Sequence, residues 1–373
     1  MPDKILFLTL RTFSATGGIE KVCRIIGKAL YEKTIESGGS FEVCSMYDKQ
    51  TDADDNPYFP AENFRGFGVG KLSFIKEMVL AGTQKNVVIL SHINLLMVGW
   101  LIKKLAPRTK LLLLAHGIEV WYPVNAATKL MLNICDEVLS VSNYTNSKIS
   151  KVHGLPENKC KVLNNCVDPF LPVPYLHLKN ERLLTKYGFG EEDKILMTLT
   201  RLSSKERYKG YDKVIEAMAA LPVQQHSIKY LIAGIYDQQE KIYLEKLIAK
   251  LGLQDRVVMP GFIREEELED HFELADIYIM PSRKEGFGIV FLEAMYYGLP
   301  VIAGNTDGSA DALLNGRLGL LVNPESVEEI KNAIKKMLGT PAMYKPDSNL
   351  LMQHFSYEVY KKKLETILAV PAE

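Results

Sequence analysis

The segment 276–304, DIYIMPSRKEGFGIVFLEAMYYGLPVIAG, combines acids and glycines at a spacing with chemical consequences. Glu285 precedes Gly286-Phe287-Gly288, and Glu293 follows with seven residues between the two glutamates. A strand over Ile277–Met280 feeds this loop. A helix then begins and is closed by Gly298 and Pro300. Glycines let backbone approach a ligand closely. A helix start offers unpaired N–H groups and the positive end of a dipole, which together suit an anion. A loop carboxylate such as Glu285 suits sugar hydroxyls. A helical one such as Glu293 can take a ribose diol through both oxygens. Two acids at this spacing, standing alone, read more simply as capping acids of a helix start. The glycines, the strand–loop–helix order and the basic residues upstream favour the ligand reading.

Those basic residues lie in 198–213, TLTRLSSKERYKGYDK. Arg201 ends a strand, and Lys209-Gly210 precedes a helix. Arginine supplies a bidentate fork and lysine a point charge, the fixed positive charge that a diphosphate needs. Lys205 and Arg207 are near enough to substitute and rank lower. His116 directly follows the apolar run Leu111–Ala115. Open α/β sheets bind ligands just beyond the carboxyl ends of their strands. A lone histidine there otherwise satisfies backbone groups. Thr16-Gly17-Gly18-Ile19 lies after the first strand and opens a helix. That pattern is weak: it fits backbone approach to a phosphate or sugar, and equally a plain helix start.

Taken together, E-G-F-G-I-V-F-L-E-A-M followed by G-x-P-V-I-A resembles the signature of retaining glycosyltransferases of the GT-B fold, family 4 type (glycosyl transferases group 1). The resemblance extends over most of the chain through several motifs in order. It implies an α/β protein of two Rossmann-like domains with an interdomain cleft, and a UDP- or GDP-linked sugar donor. It assigns Glu293 to the donor ribose. It places Glu285 and the Gly286, Phe287 and Gly288 segment at the transferred sugar, and the amides of Ile289 and Val290 at the diphosphate. Arg201 and Lys209 match the basic pair that stabilises the departing diphosphate. His116 would contact the donor sugar, and Gly17 and Gly18 would lie by the donor phosphates and the acceptor. The expected catalytic set is thus His116, Arg201, Lys209 and Glu285.

The resemblance further implies same-face attack with retained configuration. It implies a glycan or lipid-linked acceptor, in the assembly of cell-surface polysaccharide or glycolipid. No cofactor is expected beyond the nucleotide-sugar substrate, and no metal. Asn164-Asn165 and Asp168 resemble an N-G-V-D segment, but Asn165 stands where glycine is usual, and no catalytic role is assigned there. The run 305–311, NTDGSAD, departs from the G-G-x-x-E that many relatives carry near the site. The alternatives are an epimerase or hydrolase of sugar nucleotides on the same fold, and a non-catalytic sugar-binding protein. The joint presence of His116, Arg201, Lys209, Glu285 and Glu293 weighs against the last.

The elements that must position these residues alternate along the chain. Expected strands are Lys4–Leu10, Phe41–Met46, Val87–Ser91, Leu111–Ala115 and Glu137–Val141, with helices over Glu20–Glu36 and Leu95–Leu105. A second series follows: strands Ile195–Thr200, Lys229–Ala233, Val257–Pro260, Ile277–Met280 and Val301–Ala303, with helices Tyr211–Leu221, Gln239–Leu251 and Ile289–Tyr297. Such alternation implies parallel sheets covered by helices on both faces. Pro169, Pro172 and Pro174 mark a break, because proline fixes φ and lacks a donor. The expected organisation is residues 1–168 as an acceptor-side domain, 169–180 as a linker and 181–355 as a donor-side domain. A helix within 356–373 is expected to pack back on the first domain.

Composition narrows the classes. With 45 basic and 45 acidic residues the chain has no net charge, so a nucleic-acid partner is not expected. Five cysteines, none at C-x-x-C spacing, fit a reducing cytoplasm rather than a disulfide framework. Neither a signal peptide nor a membrane-spanning run is expected, since spanning takes about 20 apolar residues. Lys71, Lys76, Lys85, Lys103, Lys104, Arg108 and Lys110 oppose only Glu77 over 71–110. This segment reads first as a solvated helix face, and second as a patch for the anionic inner face of the cell membrane. Asp52-Ala53-Asp54 spells a D-x-D but sits in a polar run and reads as a solvated loop. Gly66, Gly68 and Gly70 follow no clear strand and do not fit G-x-G-x-x-G.

Overall fold

Strands that are apolar on both faces must be covered on both, and the second half of each strand–helix pair does this. The computed structural model describes residues 3–174, 179–222 and 227–369. Residues 175–178 of the expected linker and the last four residues lie outside that set. The chain divides into one unit of residues 1–170 with 356–373, and another of residues 171–355.

The first unit holds β1 (Lys4–Thr9), β2 (Ser40–Ser45), β3 (Phe64–Gly66), β4 (Val87–Leu90), β5 (Lys110–Ala115), β6 (Glu137–Ser140) and β7 (Cys160–Val162). Their order is β3-β2-β1-β4-β5-β6-β7, and all pairings are parallel. The second holds β8 (Lys194–Leu199), β9 (Ile228–Ala233), β10 (Val257–Gly261), β11 (Ile277–Met280), β12 (Val301–Gly304) and β13 (Leu320–Val322). Their order is β10-β9-β8-β11-β12-β13, again all parallel. Each is a Rossmann-like α/β unit. The strand order reverses direction between β1 and β4 in one sheet, and between β8 and β11 in the other. The loops leaving those strands are where such sheets place ligands.

The central strands β4, β5, β6, β11 and β12 are buried throughout, which explains their unbroken apolar runs. β3, β7 and β13 have three residues each, too few to show a period, and the sequence reading omits them. Gly66 therefore does end a strand, contrary to expectation, and a Cβ there would collide with the backbone of Asp48 and Lys49. The helices Lys71–Gly82, Asn143–His153 and Val327–Gly339 were also not anticipated.

The basic segment 71–110 is not simply a solvated face. Lys85 pairs with Glu42 at 3.3 Å and Lys103 with Asp136 at 2.6 Å. Lys110 is buried, 3.4 Å from Glu137, and donates to the carbonyl of Ile367 at 2.9 Å. That last bond ties β5 to the C-terminal helix Tyr357–Ala369, which belongs to the first unit. Tyr357 adds a bond to Glu32 at 2.8 Å, and Lys361 one to Glu36 at 2.8 Å. No helix among the described residues is long and apolar enough to cross a membrane.

Removing one partner of a buried pair strands the other charge. Lys110→Ala leaves Glu137 buried without its cation and also frees the Ile367 carbonyl. It is expected to lower unfolding stability by about 3 kcal/mol in urea denaturation. A loss no larger than that of an exposed control such as Lys129→Ala would show that the pair does not hold the terminal helix.

Candidate active site

The second unit brings its chemistry together at the β8/β11 reversal. The loop after β8 reaches Lys209 through a short 3-10 turn, Arg207–Lys209. Gly210 follows in the left-handed region, with φ of 80°, and a side chain there would strike the carbonyl of Pro281. Arg283 donates its amide to the carbonyl of Tyr208 at 2.8 Å. These two features press the loop after β8 against the loop after β11. The Lys209 ammonium accordingly forms an ion pair and hydrogen bond with the Glu285 carboxylate. Their side chains are only 15% and 16% exposed. Burial works against the ammonium, yet the adjacent Glu285 charge and hydrogen bond outweigh it, and the Lys209 pKa lies above the usual lysine value.

Arg201 is not part of this contact. Its side chain is 70% exposed, and its guanidinium forks onto Glu206 at 2.5 and 3.2 Å. Arg207, the lower-ranked substitute, is committed elsewhere. It donates to the buried Glu240 at 2.7 Å and stacks over the Tyr243 ring at 3.8 Å. Lys205 contributes a backbone bond to Ser203 in the same loop.

Beyond Glu285, Phe287 is buried and packs edge-on against Phe355 at 5.6 Å. Gly288 adopts φ of 86° and starts the helix Ile289–Tyr296. That helix has no side-chain N-cap and no acid in its first turn, and among the described residues no side chain is bonded to the amides of Ile289 and Val290. Glu293 is buried in the middle of the helix.

Two acids that the sequence reading missed hold these loops. Asp237 accepts from the Ser204 amide at 2.8 Å, the Ser203 hydroxyl at 2.9 Å and the Glu240 amide at 2.8 Å. The Glu240 and Ser204 amides bring its carboxyl down to about 2. Asp307, in the run that departs from G-G-x-x-E, accepts the Glu285 amide at 2.6 Å and the Ser309 amide at 2.9 Å. The Gly308 amide returns to the Glu285 carbonyl at 2.8 Å. The available signal was an aspartate in a polar loop after a strand, a residue that commonly ties such loops through its side chain.

The first unit holds a separate cluster around its own reversal. Asp48, buried after β2, accepts the amides of Thr12 at 2.6 Å, Phe13 at 3.3 Å and Ser14 at 3.1 Å. This fixes the loop that leads to Gly17, the extended N-cap of the helix Gly18–Ser37, which has no side-chain cap. After β5, His116 places its Nε2 2.8 Å from the Ser91 carbonyl. A carbonyl only accepts, so Nε2 is the donor in this contact and Nδ1 is the ring nitrogen left to meet another partner. Glu119 receives the His116 amide at 2.5 Å and the Gly117 amide at 3.1 Å. Neighbouring His92 is pushed down by burial. Asp52 is used locally: it accepts the Lys49 amide at 2.8 Å and closes a 3-10 turn. Among the described residues no group of three or more metal-ligating side chains is gathered.

The chain is similar to known proteins over part of its length by sequence and over nearly its whole length by fold. Residues 179–349 match the family model described as glycosyl transferases group 1. The chain is 32% identical over 248 residues to a GDP-mannose-dependent alpha-(1-6)-phosphatidylinositol monomannoside mannosyltransferase of Mycobacterium tuberculosis, covering 63% of this chain and 62% of that one. It is 28% identical over 218 residues to mannosylfructose-phosphate synthase of Agrobacterium fabrum, 56% of this chain and 46% of the relative. The chain thus spans less than two thirds of the length of these relatives. Among solved structures, Anabaena HepE in complex with UDP and glucose aligns with a TM-score of 0.81 at 20% identity, over 98% of this chain and 99% of that one. Sucrose-phosphate synthase from Thermosynechococcus elongatus aligns with a TM-score of 0.76 at 20% identity, over 98% of each. These structures share the fold, the GT-B arrangement of two Rossmann-like domains.

The packing of the 285–308 contact can be probed with one atom. A Cβ on Gly308 would overlap the Gly286 carbonyl oxygen and crowd that of Glu285, whereas one on Gly339 meets nothing within 4 Å. Gly308→Ala is expected to cost about 1–3 kcal/mol in thermal or urea unfolding. Gly339→Ala should be neutral or slightly stabilising. Equal effects from both substitutions would show that the two loops are not in contact.

Proposed function

We propose that this chain, whose residues 179–349 match the glycosyl transferases group 1 family, is a retaining glycosyltransferase. It would move a sugar from a UDP- or GDP-linked donor to a glycan or lipid-linked acceptor, in cell-surface polysaccharide or glycolipid assembly on the cytoplasmic side. The observation that carries the reading is the half-buried Lys209–Glu285 pair across the β8/β11 reversal, followed directly by a helix start without a side-chain cap. A diphosphate leaving group needs preorganised positive charge, and a cation held by a fixed carboxylate supplies it without reorganisation. Lys209, Arg201 and the Ile289 and Val290 amides would oppose the charge on the diphosphate. Glu285 would meet the transferred sugar and Glu293 the ribose. The leaving phosphate would help to deprotonate the incoming hydroxyl on the same face. His116, through Nδ1, would accept from a sugar hydroxyl, and Gly17 and Gly18 would approach through backbone. No metal is required in this scheme.

The test is release of free UDP or GDP from a panel of nucleotide sugars, with and without acceptor, in EDTA. Acceptor-dependent release in EDTA is expected. Release that ignores acceptor indicates a hydrolase, and loss restored by Mn²⁺ overturns the metal-free scheme. Glu293→Gln should weaken calorimetric binding of free UDP or GDP, while Glu285→Gln should spare it and reduce transfer. The opposite pattern reverses the donor's orientation.

The proposal includes peripheral contact with an anionic membrane through the first unit. Val69, Leu72, Met97 and Leu105 are exposed there beside Lys71, Lys76, Lys104 and Arg108. Each such cation near the surface is worth about 1 kcal/mol. Co-sedimentation with phosphatidylserine vesicles at low salt, and not with phosphatidylcholine vesicles, is expected. Equal sedimentation with both rejects the contact.

A further inference from the structure

The loop that presents Glu285 is pinned from outside by a residue with no counterpart role in the scheme above. Asp307 is buried at 2% exposure. One carboxylate oxygen accepts the Glu285 amide at 2.6 Å, and the other the Ser309 amide at 2.9 Å. The next residue, Gly308, donates to the Glu285 carbonyl at 2.8 Å and has no room for a side chain. The Glu285 peptide is thus held at both its N–H and its C=O by consecutive residues of a single turn. On its side-chain end Glu285 is held by Lys209.

We propose that Asp307 is a positioning residue for this enzyme: its carboxylate fixes the Glu285 backbone so that the Glu285 side chain stays on Lys209 and at the transferred sugar. The inference rests on the reading of Glu285 given above. Two methylenes separate the Glu285 carboxylate from its Cα, so a backbone released at that point can displace the carboxylate by more than the tolerance of a reacting geometry. A misplacement of about 1 Å can cost about 10²-fold in rate.

The energetics mark Asp307 as a group kept against the interest of the fold. Burial, and to a lesser degree the nearby Glu285 charge, push its carboxyl up to about 6, against hydrogen bonds from Ser309 and Glu285 that favour the anion. The sign follows directly. A folded value above the ordinary carboxylate range means that keeping the anion destabilises the folded state at neutral pH. That cost fades as pH falls through about 6. Perturbed carboxyls of this kind cluster at functional sites. The charged groups around Asp307 are few. Glu285 faces it from the loop after β11. Lys209, from the turn before the helix Tyr211–Ala219, is engaged with Glu285. Glu293 lies on the neighbouring helix Ile289–Tyr296, and Asp311 in the short helix Ser309–Ala312 that follows Asp307. Among the described residues no lysine or arginine pairs with Asp307, and its protonation leaves one carbonyl oxygen as the full acceptor for the Glu285 and Ser309 amides together.

Asp307→Asn keeps the shape but offers only one acceptor oxygen to two amides. The full-length variant and wild type are compared in three measurements: donor turnover across about pH 5–8, calorimetric binding of UDP and GDP, and amide exchange of the peptide spanning 282–288. The expected result is a wild-type kcat that falls as pH drops through about 6. The variant should lose that limb and run about 10–100-fold slower at neutral pH, with nucleotide affinity kept. Amide exchange over 282–288 should quicken in the variant, and in wild type as Asp307 is protonated. An unchanged kcat with the acid limb intact overturns the proposal, as does loss of nucleotide binding in parallel with rate, which indicates general collapse. If wild type turns over no nucleotide sugar, the functional reading has failed, and the exchange measurement still decides about Asp307. Unaltered protection over 282–288 in the variant, and in wild type across the acid range should the variant not fold, rejects it.

Discussion

The contact between Lys209 and Glu285 is the constraint on which the second unit's candidate site depends. Parallel sheets give their loops no ladder partner, so two loops leaving neighbouring strands stay together only if side chains or backbone packing make them. Here both are used. Gly210 allows the loop after β8 to lie on Pro281, Arg283 bonds back to Tyr208, and the two opposite charges then meet in a half-closed environment. A pair so placed contributes little to stability in net terms, since desolvation offsets most of the attraction. Its value is positional: it holds a cation and an acid at the point where the strand order reverses.

The same economy recurs around both sheets. Asp48, Asp237 and Asp307 each bind amides of a loop that carries a candidate functional residue, and Glu119 does so for His116. An amide that bonds to a carboxylate is stronger than one bonded to a neutral acceptor, and it needs no regular structure. Irregular loops can therefore be as fixed as strands. The four anchors differ in exposure, which explains why Asp237 sits low and Asp307 high: hydrogen bonding dominates for the first and burial for the second.

The division into two parallel α/β units was legible because strands such as β5 and β11 carry unbroken apolar runs, and because E-G-F-G with its following helix is a specific pattern. The three-residue strands were not legible, since no period fits in three residues. The short helices of the first unit mix polar and apolar residues too evenly to stand out. At the site, residue types announced Lys209 and Glu285, but not that they touch, because pairing across 76 residues of sequence is a property of sheet order. In sequence Arg201 stood beside Lys209 as a basic pair, with Arg207 a lower-ranked substitute. The two arginines separate only by what lies beside them: Glu206 near solvent for one, buried Glu240 and the Tyr243 ring for the other. The anchoring aspartates were invisible as such, because an aspartate in a loop is common and only its partners distinguish it.

These pairings also bear on the positive charge that Arg201, Lys209 and Arg207 can offer in the second unit's site. Arg201 with Glu206, Lys209 with Glu285 and Arg207 with Glu240 are each neutral as pairs. A dianionic ligand arriving there meets cations that are oriented but already partnered. The helix Ile289–Tyr296 is different, for its first turn has no acid and no side-chain cap. Its start therefore carries a positive end, equivalent to about half an elementary charge, with no capping side chain at Gly288 and no acid in the first turn. Glu285 sits immediately before that end and is held on Lys209, so its own charge is spent locally rather than cancelling the helix. The arrangement keeps an acid next to an anion site without closing the site to anions. That outcome requires Glu285 to stay where Lys209 and the 307–308 turn hold it.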